Sequence, residues 1–376
     1  MSRLLIILGA AAHVVCFGTV DLGDQEFEHQ RITRDALACP PDTPASSPFD
    51  CFEPKSMDAL AGDGGLNTGA IGAPDADEIL DSEAHCDNAD FLDFAALGIE
   101  GTYAQSREQA TDALFACINH LRERMDEGID AAEKILNGDG KVDRGETDID
   151  DIPCIFVGGV QGRAKCNTLE GFGRALHGAQ DFFAHSNWVD VPDSAQQISA
   201  TNPPGLNRSS SDRPPFLKLT DDSLNLESVE IPRDLATGCF ISSVSDPLNG
   251  AADCEKDGRI THSALNKDNG VVDVVPLVDV SPDESITKEP KTSRGQIGDN
   301  FERAVDSAIE ETRRQWDDFR DALKQKYGEE KGLRMIRAMV ADAPWEGDVE
   351  GTSGGQTLSC SFTCKLIMVF TAVILV

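Results

Sequence analysis

The chain has 376 residues, and its 33 Lys and Arg against 66 Asp and Glu give a formal net charge of −33. Hydrophobic residues make up 40% of it, which indicates a globular rather than a disordered protein. The acidic excess argues against broad binding to nucleic acid or to anionic membranes, because both need a basic face. It does not exclude an active site for a phosphate ester, because bound cations reverse the local field.

The N-terminus is typical of a secretory signal peptide. Arg3 precedes an almost wholly apolar run at 4–17, and small residues stand at Cys16 and Gly18. A transmembrane anchor is the alternative, but the run is shorter than the roughly 20 residues that a span needs. We therefore predict a signal peptide at 1–18, with Thr19 as the first residue of a secreted chain.

The C-terminus has the pattern of a GPI-attachment signal. A triplet of small residues at 353–355 is followed by a largely polar spacer and by a terminal run, 366–376, that is apolar except for Thr371. An ordinary apolar tail packed into the fold is the alternative. We predict a linker at 346–353, attachment at Ser353, a propeptide at 354–376 and a cell-surface location, with the membrane reached through the anchor.

The cysteines fit this interpretation. The chain has 11 of them, and removal of both predicted processing segments leaves an even set. An even set in a secreted chain suggests disulfides, and pairing of neighbours along the sequence is the simplest arrangement. The predicted pairs are Cys39–Cys51, Cys86–Cys117, Cys154–Cys166 and Cys239–Cys254.

Apolar residues recur at helical spacing in several segments, and no segment reads as a set of alternating strands. The sequence therefore predicts a mainly α domain at 19–345 with long disulfide-tied loops, including loops at 39–76 and 191–259, which are rich in Pro, Gly, Ser and Asp. The predicted helices are 26–37, 106–136, 168–188, 299–327 and 331–340.

The segment 177–185 carries the pattern H-x3-D-x3-H inside a predicted helix. His177, Asp181 and His185 then stand at positions i, i+4 and i+8, which project from one face of a helix. Two imidazoles flanking a carboxylate on one face form a metal-ligand arrangement. The alternative is a solvated polar face, but the intervening residues are largely apolar. A buried row of this kind would need a cation.

Other residues add donors of the same kind. His29 follows the predicted new N-terminus, Asp77 precedes His85 by eight residues, and His262 precedes Asp268 by six. Each alone is weak, because a lone histidine is more often structural. Together they suffice for two or three metal ions, and His and Asp donors without thiolates suit Zn²⁺. His120 lies on an amphipathic helix and is interpreted as structural.

These motifs resemble the zinc-dependent phospholipase C and single-strand nuclease superfamily, and more closely the CinY-like proteins of actinobacteria and the fungal heterokaryon-incompatibility protein C group. The resemblance covers most of the predicted domain, and the 177–188 block is its most specific part. The matching segments are EHQRIT at 28–33, APDADEI at 73–79, HCDNAD at 85–90, HGAQDFFAHSNW at 177–188, HSALNKDN at 262–269 and GDNFERAV at 298–305.

The resemblance implies an α-helical fold, a trinuclear zinc site and a water nucleophile activated by the metals. The implied ligands of the first zinc are Asp77 (or Asp75 as the alternative), His85, His177 and Asp181. The implied ligands of the second are His185 and His262, with Asp268 as a third. The implied ligands of the third are His29, Asp181 and the amine of the mature N-terminus. Asp77 or a neighbouring acid is the implied general base.

This sequence departs from the superfamily pattern in three places. His185 follows Asp181 by four residues rather than six. Asn266 stands where the enzymes have an acid, with Asp268 two residues further on. The predicted mature chain begins with Thr19 rather than Trp. These departures concern the second and third zinc ions more than the first.

A calcium loop is a less favoured cofactor site. Asn137, Asp139, Asp143 and Glu146 follow the spacing of such a loop, but its first position would be Ile135, which has no ligating side chain. A glycine-rich turn that ends a helix is therefore the preferred interpretation. A glycosylation sequon at Asn207-Arg208-Ser209 is consistent with secretion.

The sequence thus predicts an extracellular zinc-dependent phosphoester hydrolase that resembles phospholipase C, with a phospholipid or another phosphoester as substrate. No long nucleic acid and no obligate protein partner is expected. Two alternatives remain, a nuclease-like phosphodiesterase and a non-catalytic zinc-binding protein for cell-surface recognition.

Overall fold

The computed structural model describes residues 19, 26–64, 68–150, 152–158, 162–221, 223–240, 251–272 and 290–345. These residues belong to one compact unit that ends at Trp345. The predicted signal peptide, linker and GPI-attachment propeptide lie outside the described residues, so those assignments stay predictions.

The described residues are mainly helical, which confirms the predicted fold class. Isolated β-bridges join pairs of them, but no sheet forms in this part of the chain. Short 3-10 turns stand at Ala132–Ile135, Pro215–Leu217 and Leu226–Ser228. The α-helices are α1 (Glu28–Leu37), α2 (Pro54–Ala61), α3 (Ala73–Asp77), α4 (Phe94–Leu97), α5 (Arg107–Ala131), α6 (Arg144–Thr147), α7 (Ala164–His185), α8 (Ala251–Lys256), α9 (His262–Leu265), α10 (Asn300–Tyr327) and α11 (Glu329–Val340).

Helix α7 runs through the core. All of its residues except Asn167 and Glu170 are buried, and its main neighbours are α5 and α10. On the α10 side, the ring of Phe172 lies 5.4 Å from Trp316 and 4.9 Å from Phe319, measured between ring centroids. A helix buried all round can hold polar side chains only where they meet other polar groups. The histidines and Asp181 of α7 must therefore be satisfied inside the protein.

Helices α5 and α7 approach closely at a pair of glycines. A Cβ atom on Gly171 would stand 2.4 Å from the backbone nitrogen of Gly128, well inside van der Waals contact. On the other helix, a Cβ atom on Gly128 would stand 3.0 Å from the carbonyl oxygen of Thr168. The absence of side chains at these two positions lets α5 pack against the backbone of α7 and fixes α7 in the core.

The prediction of an uninterrupted loop at 39–76 is wrong, because α2 and α3 lie within it. Helix α2 begins with Pro54 at its first turn, where the missing N–H costs nothing, and it buries Met57 and Leu60. Pro and Gly on both sides of this short segment obscured its helical spacing. Helix α3 also begins beside a proline, Pro74, and is only five residues long.

The four predicted disulfides, Cys39–Cys51, Cys86–Cys117, Cys154–Cys166 and Cys239–Cys254, are all present. Such a set is typical of a secreted or extracellular protein. Within the described residues, no helix combines the length and the apolar character needed to cross a bilayer. Two of the bonds hold loops that carry candidate ligands, because Cys86 lies between His85 and Asp87, and Cys239 accepts a hydrogen bond from the backbone of His262.

Candidate metal centre

The polar row of α7 lies in the interior. His177, Asp181 and His185 are fully buried. Asp181 is the central member, with its Oδ2 atom 3.1 Å from His177 Nε2 and its Oδ1 atom 3.7 Å from His185 Nε2. The three side chains therefore converge, as the i, i+4, i+8 spacing predicts.

Two further imidazoles reach Asp181 from other parts of the chain. Helix α1 brings His29 Nε2 to 3.1 Å from Oδ1 of this carboxylate. The loop after α3 brings His85 Nδ1 to 2.9 Å from Oδ2. One buried carboxylate is thus surrounded by four histidines, two near each of its oxygens.

The far end of the row meets the loop that includes α9. His185 Nε2 lies 3.0 Å from Asp268 Oδ1, and His262 Nε2 lies 3.2 Å from Asp268 Oδ2. Asp87 completes this end, with Oδ1 at 3.1 Å from His262 Nδ1 and 3.5 Å from His185 Nδ1. Asp268 therefore lies between His185 and His262, although it is two residues beyond the position where the resembling enzymes carry their acid.

The ligand atoms form four overlapping triads, and within each triad they lie within 4.8 Å of one another. Each triad could hold a metal ion. His177, Asp181 and His185 each belong to two triads, so neighbouring ions would share ligands. The triads are His29–His177–Asp181, Asp75–His85–His177, Asp87–His185–His262 and Asp181–His185–Asp268.

The ring orientations of three histidines fit metal binding. His29 Nδ1 lies 2.8 Å from Gln180 Oε1, His177 Nδ1 lies 2.8 Å from the Ile71 carbonyl, and His185 Nδ1 lies 2.9 Å from the His85 carbonyl. A carbonyl oxygen only accepts hydrogen bonds, so each Nδ1 carries the proton. In the neutral ring, Nε2 then presents a lone pair, and in all three histidines Nε2 is the atom that faces Asp181. A cation between the two, either a second ring proton or a metal ion, would satisfy both.

Metal ions could replace ring protons in this cluster. Without a bound ion, the neighbouring carboxylates raise the pKa of the other four histidines against the effect of burial, and His177 is the exception. The rings of His29 and His177 stack with centroids 4.1 Å apart, and His177 Nε2 lies 3.1 Å from His85 Nδ1. Adjacent imidazolium rings would repel each other at these distances in a buried site. Burial and the neighbouring His29 accordingly lower the pKa of His177 below its ordinary value. The donor set of neutral imidazoles and carboxylates matches the ligands that divalent transition metals take.

The carboxylates of the cluster are held in the charged form. Burial alone would raise the pKa of Asp181, but His177, His185 and His29 together lower it well below its ordinary value. The pKa of Asp268 is lowered by His185 and His262, again against the effect of burial. Protonated rings stabilise these buried carboxylates when no ion is bound, and a metal ion could take their place.

Asp77, predicted as a ligand and general base, lies outside these triads. Both of its oxygens pair with Arg174, at 2.8 Å and 2.9 Å, and Oδ2 also accepts a hydrogen bond from the Gly158 backbone. The alternative, Asp75, is the acid in the triads, with Oδ1 3.6 Å from His177 Nε2. Residues two apart on a helix point about 200° apart, so α3 can direct only one of them to the centre.

The sequence patterns do not predict two residues of the site. Asp87 lies in the HCDNAD segment at 85–90. It stands beside both His185 and His262, but the spacing of that segment predicts no role for it. Gln180 was overlooked between His177 and Asp181. Its Nε2 atom donates to Thr33 and Thr312 at 3.0 Å and 2.9 Å, which fixes its Oε1 atom against His29. The sequence feature that indicates Gln180 is a polar side chain in the middle of an apolar helix.

Thr19, the predicted first residue of the secreted chain, lies against the cluster. Its hydroxyl donates to Asp75 Oδ2 at 2.8 Å, and its carbonyl accepts from Gln30 Nε2 at 3.1 Å. The cleavage site before it lies outside the described residues. The role of a mature N-terminal amine as a ligand therefore stays a prediction, although it concerns a residue that lies beside the cluster.

The remaining candidates have structural partners. His120 lies 3.6 Å from Glu78 and is the described histidine outside the triads. In the candidate calcium loop, Asn137 Oδ1 accepts from the backbone of Asp139 and Lys141 at 2.9 Å and 3.1 Å. The acids that follow act as caps: Asp143 accepts from Gly145 at the start of α6, and Glu146 from Ala164 at the start of α7. These contacts agree with the preferred glycine-rich turn.

Four ligands of the centre keep some exposure to solvent. His29, His177, Asp181, His185 and Asp268 are fully buried, whereas the side chain of Asp75 is 17% exposed. His85, Asp87 and His262 keep a small exposed fraction.

Comparison with known proteins does not identify the chain. No family model matches it, and no curated protein and no solved structure shows significant similarity. The case for a function therefore depends on the geometry of the cluster and on the motifs quoted above.

Proposed function

We propose that the chain is an extracellular zinc-dependent hydrolase of phosphoesters with chemistry similar to that of phospholipase C. The observation that carries the proposal is the position of Asp181, one fully buried carboxylate whose two oxygens face four imidazoles. A carboxylate shared in this way suits two neighbouring cations, and paired cations suit the two oxygens that exchange at phosphorus.

Zinc is the metal that the donors favour. The triads contain imidazole nitrogens and carboxylate oxygens and no thiolate, since the described cysteines of this region are in disulfides. Such mixed N and O donors are those of catalytic zinc sites. Calcium and magnesium prefer sets made of oxygen alone, which the triads are not.

The residues of this chain have separable tasks in the reaction. Zinc ions bound here would polarise a phosphoryl oxygen and lower the pKa of a water molecule. Gln180, the Ile71 carbonyl and the His85 carbonyl hold the protons of three ring Nδ1 atoms and so keep each Nε2 aimed inward. Asp75 is the least buried carboxylate of the triads. We assign it, in place of Asp77, the task of accepting a proton.

Metal analysis and turnover of a soluble phosphodiester test the proposal together. Purified secreted protein is expected to contain at least one zinc per chain and to hydrolyse the substrate, and His177→Asn is expected to lose both properties. His120→Asn is the matched control, because His120 lies outside the triads. A wild-type protein with less than one metal ion per chain would refute the proposal.

Zinc binding without phosphodiester turnover would instead support the alternative, a non-catalytic surface protein used in recognition. The same assay with single-stranded DNA covers the nuclease alternative. The net charge of −33 opposes long nucleic acids but not small phosphodiesters.

We further propose attachment to the cell surface through a GPI anchor at Ser353, which the small triplet, polar spacer and apolar tail support. Release of the protein from intact cells by a phosphatidylinositol-specific phospholipase is the expected result. Retention on the cells after that treatment would count against the anchor.

A further inference from the structure

The sequon Asn207-Arg208-Ser209 is the single place in the sequence where Asn, a residue other than Pro, and Ser or Thr follow one another. It lies in the loop between α7 and the 3-10 turn at Pro215–Leu217. A sequon can accept a glycan where the chain enters the secretory pathway and the asparagine stays at the surface. The four disulfides are typical of a chain that takes this route.

The side chains of Asn207, Arg208 and Ser209 are all exposed. Asn207 has a φ angle of 51°, in the left-handed region that asparagine tolerates better than most residues. An exposed turn of this kind is where a folded protein accommodates a bulky addition. Attachment of a sugar at Asn207 would therefore disturb no buried packing.

The amide of Asn207 has a defined orientation. Arg303 of α10 donates from Nη1 to Asn207 Oδ1 at 2.5 Å. A guanidinium group carries donors only, so the atom that it contacts must be the carbonyl oxygen and not the amide nitrogen. Among the described residues, Asn207 Nδ2 has no hydrogen-bond partner. Nδ2 is the atom that bears the sugar in an N-linked glycan, and a glycosylated amide keeps the oxygen that Arg303 holds.

The backbone of the sequon is fastened to the core. Asn207 donates from its backbone nitrogen to the Asp190 carbonyl at 3.0 Å, and Arg208 donates in the same way to the Trp188 carbonyl at 3.0 Å. Arg303 Nη2 donates to the Arg208 carbonyl at 2.8 Å. The guanidinium carbon of Arg208 lies 5.5 Å from the centroid of the Trp188 ring. These contacts hold the exposed side chain of Asn207 at a fixed place on the surface.

A polar cavity of about 330 Å³ lies beside the sequon. Hydroxyl, carboxylate, amide and guanidinium groups line it, and these groups are hydrogen-bond partners for the hydroxyls of a sugar. A first sugar on Nδ2 would therefore meet polar groups rather than an apolar surface. The lining residues are Asn207, Ser209, Ser210, Asp299, Arg303 and Asp306.

We propose that Asn207 carries an N-linked oligosaccharide in the secreted protein. The donor is an oligosaccharide joined to a lipid through pyrophosphate, and a transferase of the secretory pathway catalyses the step. The Asn207 Nδ2 atom bonds to the anomeric carbon of the sugar, the bond from that carbon to the pyrophosphate oxygen breaks, and the lipid pyrophosphate leaves. The amide gives up one proton, and no oxidation or reduction takes place.

This inference rests on the proposed extracellular location and is independent of the proposed hydrolase. The transferase is a separate protein, so the candidate metal centre takes no part in the attachment. The two proposals can therefore fail separately: release of a glycan tests Asn207, whereas zinc content and phosphodiester turnover test the centre.

Treatment with peptide N-glycosidase F of the full chain secreted from a eukaryotic host tests the proposal. The wild type is expected to migrate faster on a denaturing gel after treatment, and peptide mass spectrometry should find Asn207 deamidated. Ser209→Ala should abolish the shift because it destroys the sequon, and Ser209→Thr should keep it. Asn225→Gln is the matched control, because Asn225 is also exposed but is followed by Leu226 and Glu227.

The two Ser209 variants separate a lost glycan from a misfolded chain, because both keep Asn207 and its contact with Arg303. A secreted wild type whose migration does not change would overturn the proposal. So would a shift that persists in the Ser209→Ala variant or disappears in the Asn225 variant. A wild type that stays in the cytosol without a glycan would overturn both this proposal and the extracellular location. A glycosylated protein without zinc would contradict the hydrolase and leave the glycan at Asn207 established.

Discussion

Gln180 Oε1 accepts a hydrogen bond from His29 Nδ1 at 2.8 Å, and this contact joins α7 to α1 inside the candidate metal centre. The amide cannot turn over without losing its two donations to Thr33 and Thr312. Gln180 thus fixes which nitrogen of His29 faces Asp181. Gln180, which is not itself a candidate ligand, therefore fixes the ring orientation of His29, which is one.

We expect Gln180→Met to weaken metal binding by about 10- to 100-fold, the usual effect of losing a group that orients a ligand. The reason is that His29 would lose the acceptor that holds its ring. Competition with a chromogenic chelator measures the affinity. Gln315→Met is the control, because Gln315 is buried on α10 and donates to the Leu217 carbonyl instead. Equal loss of affinity in both variants would point to general destabilisation.

Substitution of the two acids of α3 should have opposite consequences. Asp75→Asn is expected to lower metal content or turnover with little change in stability, because Asp75 belongs to a triad and is partly exposed. Asp77→Asn should keep the metal and cost about 1–3 kcal/mol in the free energy of unfolding, through its lost bonds to Arg174. Metal analysis gives the metal content of both variants, and denaturant unfolding gives their free energies of unfolding. Loss of metal in the Asp77 variant alone would restore the original assignment.

The contact between α5 and α7 predicts a large effect of one methyl group. Gly171→Ala would place a Cβ atom 2.4 Å from Gly128, so the two helices must separate or the variant must not fold. Overpacking of this kind costs about 1–3 kcal/mol or more. Gly138→Ala is the control, because its Cβ would meet nothing within 4 Å. Thermal unfolding of both secreted variants gives the comparison, and similar melting temperatures would contradict the packing described.

Lys165 predicts a pH dependence of stability that is independent of the metal centre. Its ammonium is fully buried, donates to Ser56 Oγ at 2.8 Å and to the Ala341 carbonyl at 2.7 Å, and burial lowers its pKa to about 7 from 10.5. Between these two pH values the unfolded chain binds the proton and the folded chain does not. Stability contributed by this residue therefore rises with pH from about 7, by at most about 1.4 kcal/mol per pH unit.

Comparison of the wild type with Lys165→Met isolates this term. The difference in unfolding free energy between the two proteins is expected to stay constant below pH 7. Above pH 7 it should shift in favour of the wild type. A difference that does not change between pH 7 and pH 9 would show that Lys165 keeps its charge when buried.

Helical spacing and the pairing of neighbouring cysteines account for the parts of the structure that the sequence predicts well. The row His177–Asp181–His185 could be predicted because a helix turns regularly, so spacing alone gives a common face. The four disulfides follow from pairing neighbours, and three of them join cysteines only 12 to 15 residues apart. The long helices α5, α7 and α10 end within a few residues of their predicted limits.

The parts that could not be predicted lie where no periodicity exists. The choice between Asp75 and Asp77 depends on where the five-residue α3 begins, and two flanking turns determine that start. Asp87 reaches His262 only because a loop brings together residues 175 positions apart in sequence. The role of Gln180 could not be predicted for a different reason, because its partners come from two other helices, α1 and α10.

The bond between Cys86 and Cys117 joins the oxidation state of the chain to the shape of its candidate metal centre. His85 and Asp87 stand on either side of Cys86, and the bond ties that short stretch to α5. In a newly made, reduced chain both donors would lack this covalent tie to α5. We therefore expect disulfide formation to come before tight metal loading. The protein would then take up its metals after it enters the compartment that oxidises it, and would not carry them in from the cytosol.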